Sequence, residues 1–208
     1  MTTLGLLTLT ASASPVPTAE AIADHFTARS AEHDDQLRSW LDRGAPPAVV
    51  ATTARLSVVY GRADFLPALR PYLAHRSPAV RAAIHAAFVE LDGPGRQTAL
   101  ARCLADRHPI ARKPCYMLVR KHPHARHEPR LAELTASGDV SAISAWAAVA
   151  SATTLHELRS GAWVVPAPTR FLLYWSLLAR PDLGTAEQRA WLESALRSSL
   201  APAKDAAP

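Results

Sequence analysis

A spacing of 31 residues recurs through the middle of the chain. It holds at five separate positions: Pro47, Pro78 and Pro109; Leu69, Leu100 and Leu131; Arg76 and Arg107; Arg81 and Arg112; and Ile84, Cys115 and Trp146. A spacing kept at five positions indicates an internal repeat, in which each unit buries its apolar face against its neighbours. The chain is therefore expected to fold as a stack of similar units.

Each period is predicted to form two helices joined by a turn. Asp64 is suited to cap a first helix with an apolar stripe, and Pro78 suits the first turn of the second helix. The sequence Asp92-Gly93-Pro94-Gly95 ends that second helix. The corresponding helix of the next unit is expected to carry an apolar core stripe of Ile110, Cys115, Leu118 and Val119. Pro114 falls early in that helix and is expected to shorten or kink it.

Two successive units share a pattern of apolar, proline and charged positions. Asp106 in a turn and Arg112 six residues later form its charged part, whereas His75 stands at the Asp position of the preceding unit. The other matching residues are Leu69, Leu73, Pro78, Val80, Arg81, Ala83, Ala87, Leu100, Leu104, Pro109 and Leu118. This stretch, from Asp64 to about Lys121, resembles HEAT repeats, the helical hairpins of α-solenoids. The resemblance extends more weakly over about 32–150, and it implies that the Asp and Arg knit neighbouring units together. It speaks to architecture rather than function.

The predicted fold class is all-α: a short right-handed α-solenoid of HEAT-like helical hairpins with capping helices at both ends. The composition agrees, because Ala and Leu dominate the apolar residues and eight glycines are few for an all-β chain. We expect a flexible N-terminal segment over 1–16, a single solenoid domain over 17–201 with its best repeats at about 47–150, and a disordered tail over 202–208.

Cysteine usage and hydropathy bear on the compartment. Cys103 and Cys115 lie in apolar helical stripes, and the simplest interpretation is two buried thiols in a reducing compartment. No run of eighteen apolar residues exists, so no membrane interaction is predicted. The residues from Leu4 to Pro15 mimic a short signal peptide, but no Lys or Arg precedes them, and their cleavage stays open. We expect a cytoplasmic protein.

Basic residues concentrate in the middle of the chain. Residues 62–130 hold 13 Lys and Arg against five Asp and Glu, whereas both flanking parts are slightly acidic. Rows of Arg along a stack suit phosphates or carboxylates, and a solvated helix surface is the alternative interpretation. Arg81 and Arg112 fit a structural role, because they match the inter-repeat pattern. The candidate binding residues are Arg70, Arg76, Arg102 and Arg107, with Lys113, Arg120 and Lys121 in second rank.

The sequence contains few features that are typical of a metal site or a catalytic site. His122, His124 and His127 cluster between prolines, but the surrounding Lys and Arg disfavour a divalent cation, so an exposed loop is predicted. His85 and His156 are lone helical histidines without an identifiable partner. No nucleophile elbow, phosphate-binding glycine loop or dinucleotide fingerprint occurs. The sequence therefore predicts no catalytic residue, no metal site and no cofactor.

A non-enzymatic binding or scaffolding module is the expected function, with a central basic face that engages an acidic protein segment or nucleic acid. A protein partner is favoured. One alternative is a purely protein-interaction repeat without nucleic-acid binding. The other follows from the HEAT resemblance, because some such solenoids are DNA glycosylases with an acidic residue beside aromatic walls. The residues available for that site are Asp139, Trp146, Trp163, Tyr174 and Trp175, although most of these aromatic side chains are expected in the core.

Overall fold

A computed structural model describes residues 17–163 and 165–200, apart from the side chains of Ala167 and Pro168. All regular structure in these ranges is helical, which confirms the predicted all-α class. The expected N-terminal segment over 1–16 and the expected tail over 202–208 lie outside the described residues. The helices are α1 (Ala19–Ala28), α2 (Ala31–Asp42), α3 (Pro47–Val59), α4 (Leu66–Leu69), α5 (Pro78–Leu91), α6 (Arg96–Leu104), α7 (Pro109–Lys121), α8 (Glu128–Ala136), α9 (Ile143–Val149), α10 (Ala152–Ser160), α11 (Ala167–Leu178) and α12 (Ala186–Leu200).

Successive helices pack in a regular order. Helices α3, α5, α7, α9 and α11 each contact the next in that series, and we call them the odd-helix row. Short helices fill the connections, so that α4 and α6 pack on α5 and α8 packs on α9. None of the helices in the described part of the chain has both the length and the hydropathy that a bilayer crossing requires.

Residues that stand 31 positions apart occupy equivalent places in neighbouring units. Two such sets are fully buried, namely Leu69, Leu100 and Leu131, and Ile84, Cys115 and Trp146. Glu90 of α5 and Lys121 of α7, which also differ by 31 positions, form an ion pair of 2.7 Å between Oε1 and Nζ. One period of the sequence therefore corresponds to one step along the odd-helix row.

A ladder of arginine contacts joins three successive turns. Arg81 donates from Nε and Nη2 to both carboxylate oxygens of Asp106, at 2.7 and 2.8 Å, and from Nη1 to the carbonyl of His75. In the next unit, Arg112 donates to Asp139 and to the carbonyl of Asp106, both at 2.8 Å. Each arginine thus binds the carbonyl six residues before it and the carboxylate of the following turn.

The residue four positions after each arginine completes this ladder. His85 places Nε2 3.3 Å from Oδ2 of Asp106, and the Tyr116 hydroxyl donates to Oδ2 of Asp139 at 2.5 Å. Burial lowers the pKa of His85, and burial together with the Asp139 carboxylate raises the pKa of Tyr116 to about 12. His85, which the sequence left without a partner, is therefore part of the ladder.

Among the described residues, two arginines take part in the ladder. Val50 stands one period before Arg81, and Ala145 stands six residues after Asp139, so neither neighbouring unit supplies a guanidinium. His75, at the Asp position of its unit, contributes its carbonyl to Arg81 rather than a carboxylate.

Cys103 of α6 and Cys115 of α7 form a disulfide, with their Cα atoms 6.1 Å apart. Their expected burial is confirmed, because both are fully inaccessible. The expectation of free thiols is wrong, since the two apolar stripes face each other across the hairpin and bring the sulfurs together. The cysteines therefore no longer argue for a reducing compartment, and a cytoplasmic location stays a prediction.

Helix ends follow the sequence signals at both ends of the chain. Thr18 caps α1 by accepting from the backbone N–H of Ala21. Thr185 and Gln188 form a capping box at the start of α12, with reciprocal contacts of 3.2 and 2.8 Å. The expected shortening at Pro114 is wrong, because α7 continues through that residue to Lys121.

Replacement of Asp106 by Ala is expected to destabilise the protein strongly. It leaves the guanidinium of Arg81, whose side chain is 7% exposed, without its carboxylate. Removing one partner of a buried ion pair costs about 3–5 kcal/mol, which urea unfolding measures as a lower free energy of unfolding. The matched control is Asp35→Ala in the exposed pair with Arg38, which should cost less than about 1 kcal/mol. Equal losses in the two variants would contradict the ladder.

Reduction of the disulfide is expected to lower stability by about 3 kcal/mol, because opening a loop of this length frees the unfolded chain. Urea unfolding with and without a phosphine reductant measures the difference. The Cys103→Ala/Cys115→Ala double variant should be insensitive to reductant. Two thiols that react with a thiol reagent in denaturant, without any prior reduction, would show that the disulfide is absent.

Candidate binding surface

Six of the seven predicted binding residues are exposed and form no ion pair within the described residues. The seventh, Lys121, is bound to Glu90. The six are Arg70, Arg76, Arg102, Arg107, Lys113 and Arg120.

Each acidic side chain of segment 62–130 forms an ion pair or a hydrogen bond with another group of the same chain. The contacts are Asp64 with Arg62, Glu90 with Lys121, Asp92 with the backbone N–H of Gly95, Asp106 with Arg81, and Glu128 with the backbone N–H of Ser151. Arg81 holds the pKa of Asp106 well below its ordinary value. The uncompensated charge of segment 62–130 is therefore positive.

Four of the six exposed cations belong to elements outside the odd-helix row. Arg70 opens a 3-10 turn after α4, where its guanidinium carbon lies 5.7 Å from the ring centroid of Phe88. Arg102 lies near the end of α6, and Arg76 and Arg107 lie in the turns before α5 and α7. Arg76 and Arg107 are one period apart and Arg70 and Arg102 approximately so, but the four residues belong to several elements.

The remaining two cations share one face of α7. Lys113 and Arg120 are seven positions apart, which is two helical turns, so their side chains project on the same side. The exposed Met117 lies between them on that face, with 73% of its surface accessible. This face combines free positive charge with exposed apolar surface.

A groove of about 350 Å³ crosses α3, α5 and α7 beside those cations. Its wall on α5 is four alanines at helical spacing, from Ala79 to Ala86. Ile110 of α7 contributes apolar surface and is 53% exposed, so its expected place in the core stripe is wrong. The lining from the flanking helices is Arg55 of α3 and Ile110, Lys113, Pro114 and Met117 of α7.

The groove follows the 31-residue period. The four α7 residues stand one period after the four alanines of α5, and Arg55 stands one period before Ala86. Sequence reasoning missed Arg55, Ile110 and Met117 as surface residues because it used the period only for buried positions and charged rows. The same spacing applied to the small residues of α5 would have identified the groove.

Arg120 also borders a second hollow of about 300 Å³ between α7, α9 and α11. Trp175 of α11 lines it and is 61% exposed, which corrects the expectation that this side chain lies in the core. Ser144, Ser176 and Arg180 supply the rest of the polar lining.

The residues considered for a glycosylase site do not converge. The carboxylate of Asp139 is bound by Arg112 and Tyr116, and Trp146 is 1% exposed. Trp163 packs against Trp146 and donates from its indole to Glu157. Tyr174 packs edge-on against Trp191. Asp139 therefore belongs to the ladder, and Trp146, Trp163 and Tyr174 serve packing.

The histidine loop differs from its prediction at His127. That side chain is 2% exposed, and its Nε2 lies 2.7 Å from Oε1 of Gln97. Burial lowers the pKa of His127 to about 4. His124 instead accepts from the backbone N–H of Arg126. No group of three His, Cys, Asp or Glu side chains suited to a metal ion occurs in the part of the chain that the structure describes.

Comparison with known proteins finds no family model, no curated protein and no solved structure that matches the chain. The resemblance to HEAT repeats therefore rests on the residues of this sequence, and the function has to be inferred from its own geometry.

The free energy of unfolding is expected to decrease as the pH is lowered from about 6.5 to about 4, because of His127. The unfolded imidazole takes a proton in this window, whereas the buried one stays neutral, so protonation favours the unfolded chain by up to about 3 kcal/mol. Urea unfolding at pH 7 and pH 4.5 should show a larger loss for the wild type than for His127→Gln. The control is His156→Gln, at an exposed position of α10. A loss of stability in His127→Gln as large as that of the wild type would contradict the assignment.

Proposed function

We propose that the protein is a non-enzymatic binding module, an α-solenoid of HEAT-like hairpins whose central basic face engages an acidic segment of a protein partner. The charge imbalance of segment 62–130 carries this proposal. Six of its exposed cations form no ion pair among the described residues, whereas its carboxylates are engaged by contacts within the molecule. Such a surface attracts carboxylates, accelerates association with an acidic partner and selects against basic ones.

Three features support the solenoid architecture. The odd-helix row keeps each helix against the next, the 31-residue period matches one step of that row, and the Arg81 and Arg112 contacts join successive turns. A stack of this kind offers an extended surface made of equivalent positions from successive units.

The apolar groove favours a protein segment over nucleic acid. Nucleic-acid surfaces combine cations with phosphate contacts and stacking aromatic rings. Here the free cations Lys113 and Arg120 lie beside the aliphatic side chains of Ile110 and Met117. Aliphatic surface next to positive charge suits a chain that carries both carboxylates and apolar side chains.

A fluorescein-labelled peptide of 20 glutamates is the probe that tests the basic face. Its anisotropy should show binding at 50 mM NaCl that weakens by about tenfold or more at 200 mM, because salt screens exposed charges. Reversing Arg107 and Arg120 to Glu should weaken binding by at least about tenfold at the lower salt.

The matched control is Arg197→Glu on α12, an exposed arginine far along the chain from the basic segment, which should leave the affinity unchanged. No binding at 50 mM NaCl would overturn the proposed function. Tighter binding of a DNA duplex than of the peptide at the same salt would overturn the choice of an acidic protein segment.

A further inference from the structure

The groove across α3, α5 and α7 is lined by two stripes of residues at helical spacing. Ala79, Ala82, Ala83 and Ala86 follow the helical spacing i, i+3, i+4 and i+7 on α5. The four lining residues of α7 follow the same spacing one period later. Two neighbouring helices thus present parallel stripes over two turns, or about 10 Å.

We propose that this groove binds an amphipathic acidic helix of the partner protein, an inference that rests on the binding function proposed above. Helices pack by placing the ridges of one between those of another, and the alanines of α5 allow a close approach. A docked helix uses anchors at i, i+3, i+4 and i+7, which is the length that the two stripes provide. Ile110 and the adaptable side chain of Met117 form one wall.

The charges around the groove define the polar faces of that helix. Arg55 stands on the α3 side and Lys113 stands on the α7 side, so a cation flanks the alanines on each side. No carboxylate lines the groove among the described residues, and the nearby Glu90 is engaged by Lys121. A helix with an apolar stripe bordered by Glu or Asp on both sides complements this arrangement.

Two peptides of identical composition test the helix. Both have 18 residues of Leu, Glu and Ala with an N-terminal fluorophore; one keeps Leu at i, i+3, i+4 and i+7, and the other is scrambled. The amphipathic peptide should bind at least about tenfold more tightly than the scrambled one at 150 mM NaCl, because only its leucines reach the groove together.

Substitution of the two exposed apolar residues locates the binding. The Ile110→Ser/Met117→Ser variant should bind the amphipathic peptide at least about tenfold more weakly, and its affinity for polyglutamate should be unchanged. Val59→Ser is the matched control, because Val59 is as exposed as Met117 but lies outside the groove lining. Both sites are exposed, so circular dichroism should show an unchanged helix content.

Met117 also provides a direct probe of the groove. The chain has two methionines, so a protein labelled with ¹³C at the methionine methyl groups gives two signals, and Met117→Leu assigns them. The Met117 signal should shift on addition of the amphipathic peptide and stay in place with the scrambled one.

The outcomes separate this inference from the function on which it rests. Equal affinity for the two peptides, with no effect of the Ile110→Ser/Met117→Ser variant, would overturn the proposal that the groove binds a helix. If polyglutamate still binds in that case, the proposed function of the basic face stands. Failure of polyglutamate and of both peptides to bind would overturn the proposed function itself.

Discussion

The buried pair of Arg81 and Asp106 is the contact on which the arrangement of the central helices depends. A guanidinium so enclosed has to be matched by hydrogen-bond acceptors, and here they come from its own turn and from the next one. Arg112 repeats the arrangement with Asp139. Because each arginine needs acceptors from two turns, the contact fixes how far one unit is displaced relative to its neighbour. The parallel stripes of α5 and α7 follow from that fixed displacement.

The same contacts determine the charge of the surface. Asp106 and Asp139 form ion pairs with the structural arginines Arg81 and Arg112, and Glu90 forms an ion pair with Lys121. These carboxylates therefore neutralise cations of the same molecule. The cations that remain free are those without a structural task. A modest excess of basic residues in the sequence thus becomes a surface with little compensating negative charge.

The period, the helical hairpins and the structural arginines could be predicted because they recur as identical or similar residues. The equivalence of His85 and Tyr116 could not, since the two side chains share only their ability to contact a carboxylate. The disulfide was missed because Cys103 and Cys115 lie on different helices and meet only once the hairpin closes. Ile110 was misplaced because α7 is apolar on two sides, and helical spacing alone does not tell which side faces the core.

We propose that an acidic partner binds to the surface of α5 and α7. Hydrogen–deuterium exchange followed by mass spectrometry, with and without the amphipathic acidic peptide, tests it on the unmodified protein. Slower exchange is expected in the segments 79–86 and 110–120, with little change in the terminal helices α1 and α12. Protection confined to α1 or α12 would contradict the proposal.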